Sequence, residues 1–314
     1  MNRRGLIVAG VVLLVIILSA GGFFVARNPE TRVLDDAARR EAPGKFVRLS
    51  DGLTHYLVDG PDTGRVVVLA HGFSVPSYIW DSTAADLSRA GYRVIRYDAY
   101  GRGFSDRPSV EYSDVLYERQ LGDLLDSLHI AKADLGGVSA GGYVVGVYAG
   151  RHPDRVRSVI LSDPVAGESP ASMRPYDLPV VGEYLWQTEM MPTMAEGQAS
   201  DFVQPSRFPN WAEKYRVQMR FKGFGHALWS SRVFRRGSNT DTIYARVAAA
   251  HLPVLLVWGE KDQTVPFARN ERVRKTIPNA EFHAISGVGH LPILERASFT
   301  DSLILDFLSR TKAD

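Results

Sequence analysis

The sequence predicts an α/β fold in which helices flank a mostly parallel central sheet. Short apolar runs with the composition of buried strands alternate with amphipathic helical segments along most of the chain. Polar loops follow several of these runs directly, as loops do at the carboxyl edge of a parallel sheet. The expected strands are 46–50, 54–59, 66–70, 93–98, 134–138, 156–162, 254–258 and 281–285, and amphipathic helices are expected at 112–128 and 292–308. We expect the first two strands to form an antiparallel start.

The fifth expected strand ends in the pentapeptide Gly137-Val138-Ser139-Ala140-Gly141, and a helical segment follows it. A serine on so sharp a strand-to-helix turn is held in a strained backbone conformation, with its hydroxyl raised above the sheet. Glycine suits the flanking positions because a Cβ atom there would collide with the neighbouring strand and helix. The pattern predicts that Ser139 is a nucleophile. The structural alternative is a glycine-rich turn that happens to contain serine.

A serine nucleophile needs a general base and a carboxylate that orients the base. Asp262 lies in the polar loop after the seventh expected strand, and His290 lies in the glycine-flanked loop after the eighth. Their order along the chain, serine then aspartate then histidine, is that of folds with this serine turn. Glu260 is a competing acid in the same loop as Asp262. His283 lies within the strand pattern, which is typical of a sheet residue.

Acyl transfer also requires backbone N–H groups that stabilise the negative charge developing on the carbonyl oxygen, by about 3–4 kcal/mol per donor. Ala140, directly after the serine, is expected to supply one donor. The second is expected from Phe73, in the loop His71-Gly72-Phe73-Ser74 that follows the third expected strand. We expect His71 to support this loop by hydrogen bonding and not to act as a base.

The chain resembles the α/β-hydrolase superfamily from about residue 46 to residue 308. The resemblance implies a triad of Ser139, Asp262 and His290, with Asp262 preferred to Glu260. It also implies an oxyanion hole and a structural role for the turn at 97–105. Aspartate replaces the serine in dehalogenases and epoxide hydrolases of the superfamily, so Ser139 implies attack on an acyl carbon. The segments that carry the resemblance, in the family's order, are His71-Gly72-Phe73, 97–105, Gly137-Val138-Ser139-Ala140-Gly141, Trp258-Gly259-Glu260-Lys261-Asp262 and Gly289-His290-Leu291-Pro292.

The regular alternation of strands and helices breaks between residues 165 and 245, where tryptophan, phenylalanine, methionine and proline accumulate. The family has a helical cap inserted at this place. We therefore expect a cap at 165–245 and a hydrolase core at 46–164 and 246–314. Caps exclude water and shape the substrate pocket. The aromatic and methionine content suits an apolar acyl or alcohol group, although packing of the cap on the core is the simpler explanation for any one of these residues.

Residues 1–27 are expected to form an N-terminal membrane anchor, followed by a linker or short surface helix at 28–45. The run 5–26 is uncharged and overwhelmingly apolar, and a helix needs about 20 such residues to span a bilayer. The run continues past the small residues at 19–21, so an uncleaved anchor is favoured over a signal sequence that is removed. Arg3 and Arg4 predict a cytoplasmic N-terminus and an extracytoplasmic catalytic domain. A protein secreted after signal cleavage is the alternative.

The 314 residues carry a net charge of +2 and contain no cysteine. Disulfides, cysteine nucleophiles and thiolate metal sites are therefore excluded. The sequence has no phosphate-binding Gly-Lys-Ser/Thr loop and no His-Glu-x-x-His zinc motif. We expect no cofactor, no metal and no nucleic-acid partner, and a small-molecule ester as the substrate. The oligomeric state stays open.

These observations predict a serine hydrolase of carboxylic esters that works through an acyl-enzyme. A lipid-like ester such as a monoacylglycerol is the leading hypothesis, because an anchored enzyme meets such substrates at the bilayer. Membrane-anchored monoacylglycerol lipases of the superfamily are similar in layout. One alternative is a carbon–carbon hydrolase of ring-cleavage products, which uses the same triad but typically has a more glycine-rich loop after His71-Gly72. A second is a catalytically inactive binding module, which the intact triad disfavours.

Overall fold

The described residues form one sheet of eight strands with helices on both faces. The computed structural model describes residues 3–169, 171–235 and 239–311. Two positions of the predicted anchor, four of the predicted cap and the last three of the predicted core lie outside the described residues. In the sheet β2 pairs antiparallel with β1 and β4, and every other pairing is parallel, in the order β1-β2-β4-β3-β5-β6-β7-β8. The predicted fold class is confirmed. The strands are β1 (Lys45–Leu49), β2 (Gly52–Asp59), β3 (Val66–Ala70), β4 (Arg93–Tyr97), β5 (Ala133–Val138), β6 (Val156–Ser162), β7 (Val254–Gly259) and β8 (Glu281–Ile285).

The helices alternate with the strands in the core and follow one another in the cap. The predicted helix at 292–308 is interrupted at Arg296, whose φ of −134° and ψ of 44° lie outside the helical region. Residues 186–190 form a π-helical turn directly after α6. The helices are α1 (Arg3–Arg27), α2 (Asp36–Arg39), α3 (Asp81–Arg89), α4 (Asp114–Ser127), α5 (Ala140–Arg151), α6 (Val181–Leu185), α7 (Met194–Gly197), α8 (Trp211–Met219), α9 (Phe224–Phe234), α10 (Asp241–Ala249), α11 (Asn270–Thr276), α12 (Pro292–Glu295) and α13 (Ala297–Arg310).

The central strands are buried on both faces of the sheet. Every residue of β5 and β7 is buried, which explains why these strands lack an apolar–polar alternation. Asp134 is the one charged residue in the two strands, and its carboxylate pairs with Arg65 at 2.7 Å. Successive residues of β7 enter opposite cores, Val257 on one face and Trp258 on the other. The Trp258 indole N–H donates to the Val265 carbonyl oxygen at 3.1 Å. This bond ties the end of β7 to the loop that carries Asp262.

The chain between β6 and α10 covers the carboxyl ends of the strands. Trp186, Met190 and Met194 from this part of the chain line one cavity together with Ser139 at the end of β5. The last helix of the stretch, α10, packs against α5 and so returns to the helical layer of the core before residue 245. The aromatic and methionine residues are thus divided between packing and the walls of the cavity.

The N-terminal helix α1 is long and apolar enough to cross a membrane, and it is the one such helix in the described ranges. Its most apolar 18-residue stretch has a mean hydropathy of 2.8. Most of its side chains are exposed, and Ala20 and Phe24 near its end are half-buried against the cap. The segment 28–45 contains the short helix α2 and also contacts the cap. Arg32 N–H donates to the Arg220 carbonyl oxygen at 2.8 Å.

Candidate active site

Ser139 occupies a strained turn between β5 and α5. Its φ of 54° and ψ of −119° lie in a backbone region that residues with a Cβ atom rarely adopt. A Cβ on Gly137 would lie 2.3 Å from the Gly141 carbonyl oxygen, and one on Gly141 would lie 2.3 Å from the Ala70 carbonyl oxygen. Both distances are impossible contacts, so the two glycines of the pentapeptide are required by the close approach of backbone to backbone.

His290 and Asp262, which are separated along the chain by a strand and a helix, form a hydrogen-bonded pair. Nδ1 of His290 lies 2.8 Å from Oδ2 of Asp262, and both side chains are buried. Oδ1 of Asp262 accepts the backbone N–H groups of Thr264 and Val265 at 2.8 and 2.9 Å. With the Nδ1 proton directed to a carboxylate, Nε2 of the neutral imidazole is the nitrogen left to accept a proton.

The predicted base and nucleophile line the same cavity, which has a volume of about 220 Å³. Ser139, His290, Gly72 and Phe73 all contribute to its wall. A Cβ on Gly72 would lie 3.4 Å from the Ser139 Cβ, so the loop after β3 passes directly beside the serine. A larger cavity of about 1140 Å³ lies between the loop 107–112 and α9, but neither Ser139 nor His290 lines it.

The predicted oxyanion donors lie on the two backbone segments that border the serine. Ala140 is the first residue of α5, so its N–H has no partner within the helix. The Phe73 N–H donates to no protein acceptor within the described ranges. Arg102 holds the Phe73 loop, because its Nε donates to the Phe73 carbonyl oxygen at 2.9 Å and another guanidinium nitrogen donates to Ser231 Oγ in the cap at 3.0 Å.

His71 supports the loop and is not placed to act as a base. Its Nε2 accepts the Ala99 N–H at 2.9 Å, so the ring proton is on Nδ1, which lies 2.7 Å from the Gly72 carbonyl oxygen. Burial lowers the pKa of His71 to about 4, although Asp98 nearby opposes the effect. A neutral imidazole with both nitrogens engaged agrees with the supporting role expected for His71.

The two competing residues lie apart from this arrangement. Glu260 is exposed, and the Asp262 carboxyl takes the place beside His290. His283 lies in β8, where its Nε2 is 2.9 Å from a Glu281 carboxylate oxygen.

Sequence reasoning missed Asp163, which directly follows β6. Its carboxyl group lies within 4.8 Å of the nearest ligand atoms of Asp262 and His290, and its Oδ1 accepts the Gly259 N–H at 2.8 Å. Burial and the adjacent charge of Asp262 raise the pKa of Asp163 well above its usual range. Two adjacent buried carboxyl groups do not both ionise, so Asp163 is the neutral member of the pair. Its position after a buried strand, like that of Asp262, was the available signal.

Asp163, Asp262 and His290 also lie close enough together to share a cation. Both oxygens of Asp262 already accept hydrogen bonds from protein N–H groups, and Oδ1 of Asp163 accepts another. The three groups are therefore satisfied as a hydrogen-bonded network, and this chemistry fits an orienting acid better than a metal ligand set.

Asp201, through its backbone, and Glu295, through its carboxylate, connect the cap to the loop that carries His290. The His290 N–H donates to the Asp201 carbonyl oxygen at 2.9 Å. Buried Glu295 accepts the N–H of Val203 at 2.8 Å on one oxygen and the N–H of Gly289 at 2.7 Å on the other. Nothing in the local sequence of either acid indicated these contacts, because each joins segments that are distant along the chain.

The cap helix α9 contributes a cation to the cavity. Arg232 lines the cavity, and its guanidinium lies 5.9 Å from the centroid of the Trp186 ring. Burial lowers the pKa of Arg232, and the neighbouring Arg235 adds to this effect. No carboxylate in the described part of the chain forms an ion pair with Arg232, so its charge is available to an anionic group in the cavity.

A sequence model of the family described as alpha/beta hydrolase fold matches residues 65–297, which contain every candidate site residue. The chain belongs to the α/β-hydrolase superfamily. This α/β hydrolase is similar to a curated relative from Paraburkholderia phymatum, 2-hydroxy-6-oxononadienedioate/2-hydroxy-6-oxononatrienedioate hydrolase. The two are 28% identical over 86% of this chain and 96% of the relative.

Solved structures of two hydrolase types are similar to this α/β hydrolase. A thermophilic esterase from Thermogutta terrifontis is 25% identical, with a TM-score of 0.73 over 86% of this chain and all of that one. A variant of the meta-cleavage product hydrolase CumD is 26% identical, with a TM-score of 0.71 over 85% of this chain and 98% of that one. The family and these relatives support an enzyme that hydrolyses a small molecule.

Proposed function

We propose that this α/β hydrolase acts through Ser139 as nucleophile, with His290 as general base and acid and Asp262 as the orienting carboxylate. The observation that carries the proposal is the 2.8 Å hydrogen bond between His290 and Asp262, made at the cavity that Ser139 also lines. The bond holds the imidazole in one orientation and stabilises the imidazolium that forms during the reaction.

The reaction follows from these positions. Ser139 Oγ attacks the carbonyl carbon of the substrate while Nε2 of His290 takes the hydroxyl proton. The N–H groups of Phe73 and Ala140 stabilise the charge on the carbonyl oxygen. His290 then gives the proton to the leaving group, and the acyl group stays on Ser139. A water molecule deprotonated by His290 attacks the acyl-enzyme, which releases the acid and restores the serine.

The substrate class that we favour is a ring-cleavage dienoate, hydrolysed at the carbon–carbon bond beside a ketone. The relative from Paraburkholderia phymatum and the CumD protein are both named as hydrolases of such products. Arg232 supports the assignment, because it lines the cavity, these substrates carry a carboxylate and a guanidinium binds carboxylates well. The leaving group would be a carbon atom, and His290 would supply the proton that it gains. Carbon–carbon hydrolysis of a ring-cleavage product thus has more support than hydrolysis of a lipid ester.

The test is turnover of a 2-hydroxy-6-oxohexa-2,4-dienoate with an alkyl or aryl group at C6, followed by loss of its visible absorbance. Ser139→Ala should abolish the reaction. Arg232→Met should raise KM for the dienoate about tenfold or more, as expected for a lost charge-assisted contact, and should leave the KM for neutral p-nitrophenyl acetate nearly unchanged. Turnover of esters without turnover of any dienoate would contradict the assignment.

Hydrolysis of carboxylic esters is the second candidate. The esterase from Thermogutta terrifontis supports it, and so does the apolar wall that Trp186, Met190 and Met194 form over Ser139. A panel of p-nitrophenyl esters and monoacylglycerols of increasing chain length, run beside the dienoates, separates the two candidates by kcat/KM. A fluorophosphonate probe addresses the inactive binding module: labelling that is absent, or unchanged in Ser139→Ala, would support that module over an enzyme.

The membrane anchor and the extracytoplasmic location are proposals as well. Helix α1 has the length and hydropathy of a membrane-spanning helix, and the basic residues Arg3 and Arg4 precede its apolar run. Alkaline carbonate should fail to extract the full chain from membranes. In spheroplasts, whose cytoplasmic membrane is intact, external protease should digest the catalytic domain. Digestion only after lysis would contradict the outward orientation, and loss of the first residues from the mature protein would indicate signal cleavage.

A further inference from the structure

The last turns of α1 are attached to the cap. The Tyr184 hydroxyl donates to the Ala20 carbonyl oxygen at 3.0 Å, and the Tyr184 ring stacks on Phe24 with 6.1 Å between centroids. Arg27 Nε donates to the Thr188 carbonyl oxygen at 3.1 Å. These contacts join the N-terminal helix to α6 and to the π-helical turn that follows it.

The chain that follows α1 is attached to the cap too. The Glu30 carboxylate accepts the N–H of Gly223 at 2.8 Å and the N–H of Gly225 at 2.6 Å, at the start of α9. Arg32 exchanges backbone hydrogen bonds with the stretch 220–222 at 2.8 Å. The catalytic domain therefore contacts α1 and the residues after it at several points, and the two are not joined by a free linker alone.

These contacts fix the position of the cap along the axis of α1. Ala20 precedes Arg27 by seven residues, which is about 10 Å along a helix that rises 1.5 Å per residue. With the Arg27 charge among lipid headgroups, the Tyr184 hydroxyl lies about 10 Å closer to the bilayer centre, near the boundary between headgroups and acyl chains. Tyrosine is enriched at that boundary because its ring is apolar and its hydroxyl is polar.

Apolar side chains are exposed beside Tyr184. Val180 is 87% exposed and Val181 is 50% exposed, and Pro179 before them is exposed as well. We call residues 178–184 the cap tip. Single exposed apolar residues are common on soluble proteins, but these adjoin the point where an apolar helix of membrane-spanning length contacts the domain.

We propose that the cap tip docks on the lipid bilayer from which α1 emerges, so that the cap rests on the membrane surface. The proposal rests on the proposed membrane anchor. Trp186 and Met190, a few residues after the cap tip, line the cavity of Ser139. Docking therefore places one wall of the active-site cavity at the lipid surface.

The absence of cysteine in the chain allows a single probe to report the depth of the cap tip. Val180→Cys is labelled with an environment-sensitive fluorophore in the full-length protein, reconstituted in phosphatidylcholine vesicles. The matched control is Phe299→Cys, because Phe299 is also apolar and 50% exposed but lies on α13, which packs against α3 and β7. Brominated phosphatidylcholine should quench the Val180 probe about twofold or more, as expected for a group buried roughly 5–10 Å in the interface, and should leave the Phe299 probe nearly unchanged.

Alkaline carbonate extraction of the same vesicles tests the anchor separately. Retention of the protein with selective quenching at Val180 supports docking. Retention with equal quenching at the two positions overturns docking and leaves the anchor in place. A blue-shifted Val180 probe that brominated lipid does not quench overturns docking as well, because the cap tip is then covered by protein, such as a second copy. Complete extraction overturns the anchor and the docking together. Unchanged fluorophosphonate labelling shows that each variant is folded.

Discussion

Replacement of Asp163 by asparagine tests which of two buried carboxyl groups carries the charge beside His290. Asp163 is fully buried and Asp262 is 1% exposed. Burial and the charge of Asp262 raise the pKa of Asp163 well above its usual range, which favours the protonated form of Asp163. Asparagine has the shape of a protonated aspartate. It keeps an acceptor for the Gly259 N–H, now at 2.8 Å, and its amide can donate to Asp262.

The expected effect of Asp163→Asn is therefore small. We expect kcat/KM to fall by less than about fivefold, which corresponds to less than about 1 kcal/mol. Asp262→Asn removes an anion that accepts three protein N–H groups and turns an amide N–H₂ toward one of those donors. Neutralisation of the orienting aspartate costs about 10⁴ in kcat in serine hydrolases of this type, or roughly 5 kcal/mol. The two variants should thus differ by at least about 10³ in rate.

The assay is steady-state hydrolysis of p-nitrophenyl acetate, or of a dienoate if that is the better substrate, together with the rate of fluorophosphonate labelling. Thermal denaturation of both variants separates unfolding from loss of chemistry. If Asp163→Asn loses about 10³-fold and Asp262→Asn stays nearly active, the charged acid is Asp163. Equal losses in two folded variants would mean that the pair shares its charge, and either result would refute the assignment of a neutral Asp163.

Three further predictions concern stability. Glu295→Gln should lower Tm by several degrees. One side-chain oxygen becomes an amide nitrogen, so either Val203 in the cap or Gly289 loses the acceptor of its backbone N–H, at a cost of about 1–3 kcal/mol. Differential scanning calorimetry measures the change, and exposed Glu260→Gln is the control that should leave Tm unchanged. Gly141→Ala should abolish folding or severely destabilise the chain, since its Cβ would lie 2.3 Å from the Ala70 carbonyl oxygen. The control is Gly197→Ala, whose Cβ would have no neighbour within 4 Å. Equal soluble yields of the two variants would contradict the prediction. Burial and nearby Asp86 raise the pKa of Asp301 from 3.8 to about 7, so the folded state retains a proton that the unfolded chain loses. The free energy of unfolding should therefore fall as pH rises from about 4 to about 7. Asp301→Asn should be more stable than the parent by up to about 4 kcal/mol at pH 8 in urea unfolding, with little gain at pH 4.

Local patterns in the sequence were sufficient for the fold class and for the candidate triad. The largely apolar runs that became β5 and β7 are buried on both faces, and a strand in that position requires mostly apolar residues. The glycines around Ser139 are required by backbone contacts within a few residues of the turn and with the adjacent strand. Asp262 and His290 could be selected because each follows a strand, and the carboxyl ends of parallel strands meet at one edge of the sheet.

Contacts between distant segments decided the rest. Asp163 becomes a neutral acid because β6 lies beside β7 and brings its carboxyl group to Asp262. Arg232 reaches the cavity because α9 folds back over the sheet, and Tyr184 meets Ala20 because the cap packs on the end of α1. No local periodicity encodes such neighbours, since they arise only when segments far apart in the chain pack together. The serine turn and the order of the candidate triad residues are therefore properties of the local sequence, whereas the residues that surround the cavity and the position of the cap depended on the tertiary structure.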